Sequence, residues 1–303
     1  MGAATASDLR GPGGTGGVAS LAGEVTPLGS TVFFAGQHSA TGMELWKSDG
    51  TPAGTVLVKD INPGSESGYP YGLTAVGGLL YFYASDADGS ELWKSDGTAA
   101  GTVKVKDIKP GPSGSGPQNF TAVGSTLFFS ADDGVSGPEL WKSDGTAAGT
   151  TQVKDINPGI EPGTPGNLRE VNGVLLFRAR DGSTGPELWK SDGTTAGTTL
   201  VKDIWPGIEG GEPSDPAVVG DTLFFNADDG VSGGELWKSD GTTVGTVLVS
   251  DILPGDGSAP QMLTAVGDTL FFRAWGDTGS ELWKSDGTTA GTVLVKDIAP
   301  GPD

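Results

Sequence analysis

An octapeptide, Glu-Leu-Trp-Lys-Ser-Asp-Gly-Thr, occurs six times in this chain without a change. Its glutamates lie 46 to 48 residues apart, at Glu44, Glu91, Glu139, Glu187, Glu235 and Glu281. A period of this length is typical of a four-stranded propeller blade, whereas a helical repeat would carry apolar residues every three to four positions. The repeats contain no such helical pattern. The period therefore predicts an all-β chain.

Each repeat contains short β-branched and aromatic runs bounded by Gly, Pro, Asp and Ser, which is a strand pattern. The four runs of the third repeat are strands A to D: Phe120–Val123, Thr126–Phe129, Glu139–Lys142 and Thr150–Ile156. Three short links and one longer D–A crossing, which leads from strand D to the next strand A, fit an antiparallel blade. The sequence thus predicts a six-bladed β-propeller with four antiparallel strands per blade over residues 18–303. Residues 1–17 are interpreted as an N-terminal extension or the remnant of a preceding blade, and we expect Val293–Ile298 to complete the sixth blade.

Composition excludes several classes of protein. The 53 glycines and 20 prolines would indicate disorder in a chain without a period, but here they mark turns. The absence of cysteine excludes disulfides and thiolate metal sites. No apolar run approaches the ~20 residues of a membrane span, and Met1–Gly17 lacks the apolar core of a signal peptide. A net charge of −20 argues against a nucleic acid partner.

The six identical octapeptides, each followed by Gly-Thr, resemble the ELWxxDGT repeat family. The resemblance extends from about Gly23 to Gly301, and five of the six copies continue into Lys-Asp-Ile, with Ser250 in place of the lysine in the other. This family is found mostly in bacterial proteins that look secreted or attached to the cell surface. The resemblance therefore implies a secreted or cell-surface location, and it implies no particular chemistry.

Charged residues recur at fixed positions of the repeat. We expect the motif glutamates, aspartates and lysines to form exposed ion pairs and turn caps. Fourteen further acids fall in the B–C loops and the D–A crossings, which lie on one face of a propeller. That face is predicted to be acidic and to favour a cation or a basic partner.

Clustered carboxylates in the B–C loops suggest calcium, because Ca²⁺ prefers oxygen ligands. The candidate ligands are Asp86, Asp88, Asp132, Asp133, Asp228 and Asp229. None of these loops has the distal glutamate of an EF-hand, so turn formation is an alternative explanation for them. The cofactor prediction is accordingly none, or weakly bound calcium.

One position in strand B varies while its neighbour is always small. It holds Ala35, Tyr83, Ser130, Arg178, Asn226 and Arg273, and the next residue is glycine or alanine in every copy. Its polar members Tyr83, Arg178, Asn226 and Arg273 are the predicted ligand-binding residues, although a solvated position would also be free to vary. No catalytic residue is predicted, since His38 is the only histidine and is interpreted as a surface loop residue.

These features predict a monomeric, non-enzymatic binding module of a secreted or cell-surface protein, whose partner is a glycan or a basic protein. Six equivalent blades would give multivalent binding. Two alternatives remain at this point. One is a hydrolase or lyase that uses the channel mouth of the propeller, and the other is a purely structural repeat scaffold.

Overall fold

Residues 20–298 are described by the computed structural model, and within them the chain forms six antiparallel sheets of four strands and no helix. The first sheet consists of β1 (Ser20–Leu28), β2 (Thr31–His38), β3 (Gly42–Ser48) and β4 (Val56–Lys59). The second consists of β5 (Tyr71–Val76), β6 (Leu79–Asp86), β7 (Gly89–Ser95) and β8 (Val103–Lys106). The third consists of β9 (Gln118–Val123), β10 (Thr126–Asp132), β11 (Pro138–Ser143) and β12 (Thr151–Lys154).

The remaining three sheets repeat this plan. The fourth consists of β13 (Gly166–Val171), β14 (Val174–Arg180), β15 (Pro186–Ser191) and β16 (Thr199–Lys202). The fifth consists of β17 (Ser214–Val219), β18 (Thr222–Asp228), β19 (Gly234–Ser239) and β20 (Val247–Ser250). The sixth consists of β21 (Gln261–Val266), β22 (Thr269–Gly276), β23 (Gly279–Ser285) and β24 (Val293–Lys296).

Strand order within every sheet follows the order in the chain, from strand A to strand D. This confirms the predicted six-bladed β-propeller, and β24 lies in the sixth sheet as expected. Strand D is shorter than predicted. Thr150 belongs to the preceding turn, where its hydroxyl lies 2.8 Å from that of Ser143, and the backbone N–H of Ile156 donates to a side chain instead of a strand. The proposed N-terminal extension, residues 1–17, lies outside the described residues.

The chain divides into two compact units. One comprises Met1–Gly137 with Trp141–Gln152, and the other comprises Pro138–Leu140 with Val153–Asp303. Within the first unit, the A strands β1, β5 and β9 contact one another in series. Within the second, β13, β17 and β21 do the same.

Sheets within a unit pack face to face through apolar side chains. Phe33 and Leu45 of the first sheet lie in one buried cluster with Leu80, Phe82 and Trp93 of the second. Trp93, Trp141 and Trp237 therefore pack between sheets, and the burial of each contributes about 2–3 kcal/mol. The motif tryptophans at positions 93, 141, 189 and 237 are 4–6% exposed. No helix in residues 20–298 is long and apolar enough to cross a membrane.

Candidate functional site

The B–C loops and D–A crossings meet at the same end of each sheet, as the sequence predicted. At the junction of the first and second sheets, the backbone N–H of Gly68 donates to the carbonyl of Met43, at 3.0 Å. The N–H of Ser85 donates in turn to the carbonyl of Gly68, at 2.7 Å. The crossing is thereby attached both to the sheet that it leaves and to the sheet that it enters.

The motif glutamate binds the backbone of this crossing through hydrogen bonds. The two carboxylate oxygens of Glu44 accept hydrogen bonds from the backbone N–H groups of Ile61, at 2.9 Å, and Gly68, at 2.7 Å. Five of the six glutamates are fully buried and Glu281 is nearly so. The expectation of exposed ion pairs is therefore wrong for the glutamates. Their partners are main-chain donors that the crossing would otherwise leave unsatisfied.

Burial also alters the acidity of these carboxyls. It raises the pKa of Glu44, Glu139 and Glu187 to about 7, while the backbone donors act in the opposite direction. Burial raises the pKa of Glu91 and Glu235 as well. These two also accept from serine hydroxyls of the crossing, at 2.5 and 2.6 Å, which further favour the charged form.

The motif aspartates are turn caps, as predicted. Asp144 accepts from both the backbone N–H and the hydroxyl of Thr146, each at 2.8 Å, and these bonds lower its pKa. A Cβ at Gly149 would lie 2.1 Å from the Asp144 carboxylate, which explains the glycine that closes each of these hairpins. One carboxylate oxygen, the Oδ1 of Asp144, therefore accepts both hydrogen bonds of the turn.

The lysines of the repeat join one sheet to the next. In the second sheet, Lys94 donates to the carbonyl of Gly145, and Lys106 donates to that of Thr150, both at 2.8 Å. The Lys106 ammonium also lies 5.8 Å from the ring centre of Trp141. These lysines bind backbone carbonyls and an aromatic face, and Lys94 also helps to lower the pKa of the motif carboxyl Asp144.

The six candidate calcium ligands have protein partners. Asp86 and Asp132 form ion pairs with Lys104, at 2.9 Å, and Lys109, at 2.5 Å. The side chains of Asp133, Asp228 and Asp229 accept backbone N–H groups of their own loops, and Asp88 lies 3.5 Å from Lys104. Within residues 20–298 no three acidic or histidine side chains come together as a metal site would require. Calcium binding stays a prediction.

The four predicted ligand-binding residues each interact within their own sheet or its crossing. The Tyr83 hydroxyl donates to Ser90 at 2.7 Å, and Arg273 donates to Ser280 at 2.6 Å. Asn226 makes a long contact of 3.5 Å with Ser214. Arg178 forms an ion pair of 2.6 Å with Glu212. These contacts position the side chains at the loop end of the sheets, and ligand binding by them stays a prediction.

Backbone with a positive φ lies immediately after the strand-A residue that pairs with this position, and it was not anticipated. The second residue of strand A has a positive φ in the second to sixth sheets: Gly72 at 66°, Asn119 at 59°, Asn167 at 56°, Asp215 at 49° and Met262 at 56°. The preference of glycine, asparagine and aspartate for this conformation was a usable signal in four of the five copies. Such strain is concentrated at functional sites in many proteins.

One open groove of about 390 Å³ lies at the loop end of the fourth sheet. Glu161 and Ile208 of two neighbouring crossings line it together with Arg180. The Arg180 side chain is oriented by a 3.1 Å hydrogen bond from its Nε to the carbonyl of Pro162.

His38 is the last residue of β2. Its Nδ1 accepts the backbone N–H of Ala40, at 3.3 Å, and its ring lies 6.2 Å from that of Trp46. The sequence predicted that His38 would lie in a surface loop. The residue instead lies at the end of β2 and is half-buried.

Comparison with known proteins finds matches among solved structures. No family model and no curated protein matches the chain. One matching structure is a prolyl endopeptidase that is 17% identical, with a TM-score of 0.56 over 94% of this chain and 44% of that chain. The tricorn protease is 15% identical, with a TM-score of 0.42 over 92% of this chain and 26% of its own. A Mycobacterium tuberculosis puromycin-hydrolysing peptidase is 14% identical, with a TM-score of 0.39 over 98% of this chain and 55% of its own.

The prolyl endopeptidase match supports the propeller fold and corrects the functional expectation. The sequence predicted a binding module for a glycan or a basic protein, but the matched chain with a TM-score above 0.5 is a prolyl endopeptidase. That prediction and its two alternatives are therefore withdrawn. This chain spans less than half of the prolyl endopeptidase chain, so the match concerns one part of a longer protein. The ELWxxDGT resemblance stays a prediction.

Proposed function

We propose that this chain is the non-catalytic propeller of a peptidase and acts beside a separate catalytic domain. The observation that carries the proposal is the fold match to a prolyl endopeptidase, in which 94% of this chain corresponds to 44% of the other. In that enzyme, motion between domains has a role in catalysis and specificity. A propeller placed beside a catalytic domain would influence which peptides reach it.

The chemistry of the chain supports a non-catalytic role. A nucleophilic site needs a base near a serine, threonine or cysteine. The sequence has no cysteine and one histidine, and His38 accepts a main-chain hydrogen bond. Glu139 has a raised pKa, but it is fully buried and both of its carboxylate oxygens accept main-chain hydrogen bonds of the crossing.

The proposal is tested by following peptidase activity. An antibody to this chain is used to isolate it from cells that produce it, and the isolate is assayed with a fluorogenic proline-containing peptide. We expect activity in the isolate and none in the purified recombinant chain. Treatment with a serine-directed fluorophosphonate should label a partner and leave this chain unlabelled.

Two results would contradict the proposal. One is hydrolysis by the purified recombinant chain, which would make the chain itself an enzyme. The other is an isolate without peptidase activity, when the same cells contain activity that remains in the depleted extract.

A further inference from the structure

The residue that follows Lys-Asp-Ile in a crossing lies against the B–C loop of the next sheet. Before the third sheet this residue is Lys109, and a Cβ at Gly134 would lie 3.2 Å from its side chain. Before the fifth sheet it is Trp205, and a Cβ at Gly230 would lie 2.6 Å from its indole ring. In both places a long side chain covers the loop. Lys109 is also held there by its ion pair with Asp132.

A shorter residue, Asn157, occupies this position before the fourth sheet. Its Nδ2 donates to the carbonyl of Pro162 at 3.4 Å, and a Cβ at Gly182 would lie 2.6 Å from its Oδ1. The amide therefore stays close to the backbone, and the open groove of about 390 Å³ lies beside it. We attribute the groove to this exchange of a long side chain for a short one.

A reversal of charge brings a guanidinium to the groove. The position in strand B that holds Asp132 in the third sheet and Asp228 in the fifth holds Arg180 in the fourth. Arg180 is half-buried, and its Nε is fixed by the hydrogen bond to the carbonyl of Pro162. Within residues 20–298 its two terminal nitrogens have no hydrogen-bond or ion-pair partner. A guanidinium in this state can bind a carboxylate through two parallel hydrogen bonds.

Ile208 gives the groove an apolar wall. It belongs to the crossing from the fourth sheet to the fifth, and it is 76% exposed where it lines the groove with Pro186. A Cβ at Gly185 would lie 2.6 Å from the Ile208 carbonyl, so this crossing lies directly against the B–C loop of the fourth sheet. An exposed isoleucine near an unpaired guanidinium suits a ligand whose carboxylate adjoins an apolar group.

We propose that this groove binds the C-terminal carboxylate of a peptide whose last side chain is apolar. Arg180 would bind the carboxylate, and Ile208 and Pro186 would contact the side chain. The groove volume of about 390 Å³ is at the lower end of the ~300–1,000 Å³ of ligand sites and suits the end of a peptide. The choice of a peptide among carboxylates rests on the proposed function, in which the chain acts beside a peptidase domain.

The experiment measures binding by the purified chain alone, with isothermal titration calorimetry. The probe is acetyl-Gly-Ala-Leu with a free carboxylate, and it is compared with the same peptide as a C-terminal amide and with acetyl-Gly-Ala-Gly. We expect a Kd on the order of 10⁻⁴ M for the probe. The amide should bind at least about tenfold more weakly, because it loses the charge-assisted hydrogen bonds. The glycine peptide should also bind more weakly than the probe, since it lacks the apolar side chain.

Two variants remove the site with little risk to the fold, because each copies another sheet. Arg180→Asp introduces the residue found in the third and fifth sheets and should weaken binding at least about tenfold. Arg180→Asp combined with Asn157→Lys rebuilds the ion pair of the third sheet and should fill the groove. Circular dichroism melts establish that each variant is folded.

The other two variants separate the guanidinium from the overall charge of the chain. Glu161→Gln removes a negative charge from the groove and should tighten binding about twofold to fivefold. Val244→Asp is the control, because Val244 is 89% exposed in a hairpin outside the groove. It adds a negative charge there and should bind the probe like the wild-type chain.

Four results would overturn the proposal. These are no saturable binding by the wild-type chain up to about 5 mM probe, equal affinity for the acid and the amide, undiminished binding by the double variant, and weaker binding by Glu161→Gln. The last result would mean that Glu161 holds a cationic group of the ligand. Because no peptidase activity is measured, a failure here leaves the proposed function standing. An isolate without peptidase activity would in turn leave the binding result standing.

Discussion

The glutamate side chain of each motif is buried although it is an ionisable group. Glu139 accepts hydrogen bonds from the backbone N–H groups of Ile156 at 3.0 Å, Asn157 at 3.4 Å and Gly163 at 2.7 Å. A carboxylate can accept several donors at once, and no other side chain of this length offers two equivalent oxygens. The glutamate thus fixes an irregular, glycine-rich crossing without a strand or helix.

Replacing Glu139 tests this role. In Glu139→Ala, three buried N–H groups lose their acceptor, and we expect the free energy of unfolding to fall by about 2–5 kcal/mol. Glu139→Gln keeps one oxygen and should lose about half as much. Urea denaturation followed by circular dichroism gives both values.

The control is Glu161→Ala, because Glu161 is exposed in the crossing of the same repeat. A change within about 0.5 kcal/mol is expected there. If Glu139→Ala were as stable as this control, the glutamate would not be the support of the crossing.

At the scale of the sheets, one junction lacks a contact that others have. Lys154 and Lys202 each donate to a threonine carbonyl of the next sheet, at 2.8 Å, and lie 5.6 and 5.5 Å from the ring centre of its tryptophan. Ser250 occupies this position in the fifth sheet. Its short side chain cannot span the same distance to the sixth sheet.

Restoring the lysine should therefore stabilise the fifth junction. We expect Ser250→Lys to raise the free energy of unfolding by about 0.5–1.5 kcal/mol, through one hydrogen bond and one cation–π contact. The reverse change, Lys202→Ser, should lower it by a similar amount. Parallel urea titrations of the two variants measure this, and a Ser250→Lys chain no more stable than the wild type would show that the lysine column does not strengthen junctions.

Sequence reasoning predicted the elements well because each is specified locally. Short β-branched and aromatic runs bounded by turn residues placed strands A, B and C within three residues of their ends in the third sheet. The burial of Glu139 was missed, because its partners are main-chain atoms 17 to 24 residues away and main-chain donors leave no sequence pattern. The same limit applies to the predicted site, where Arg178 and Glu212 form a pair across 34 residues that no repeat position suggested.

For the whole molecule, the raised glutamate pKa values set the dependence of stability on pH. A carboxyl with a pKa of about 7 when folded and near 4.5 when unfolded favours folding while it is protonated. That contribution is complete below pH 4.5 and is lost as the pH rises through 7. The hairpin aspartates act in the opposite sense, because their lowered pKa values remove stability only as the pH falls below about 3.8.

We therefore expect maximum stability at about pH 4 and a decrease on the order of a few kcal/mol between pH 5 and pH 8. Urea titrations at pH 5, 6, 7 and 8 measure the slope. Glu139→Gln provides the internal control, since it removes one titrating group and should flatten the curve. A wild-type curve that is level or rises over this range would contradict the assignment.

The similarity of the junctions inside the chain has a genetic consequence. A sheet packs on its neighbour through residues that every repeat carries, and its crossing is held by a glutamate that every repeat carries. Unequal recombination between repeats of such a gene would remove or insert one whole unit, and the new neighbours would still match. Chains related to this one should therefore differ in length by multiples of about 47 residues more readily than by partial repeats.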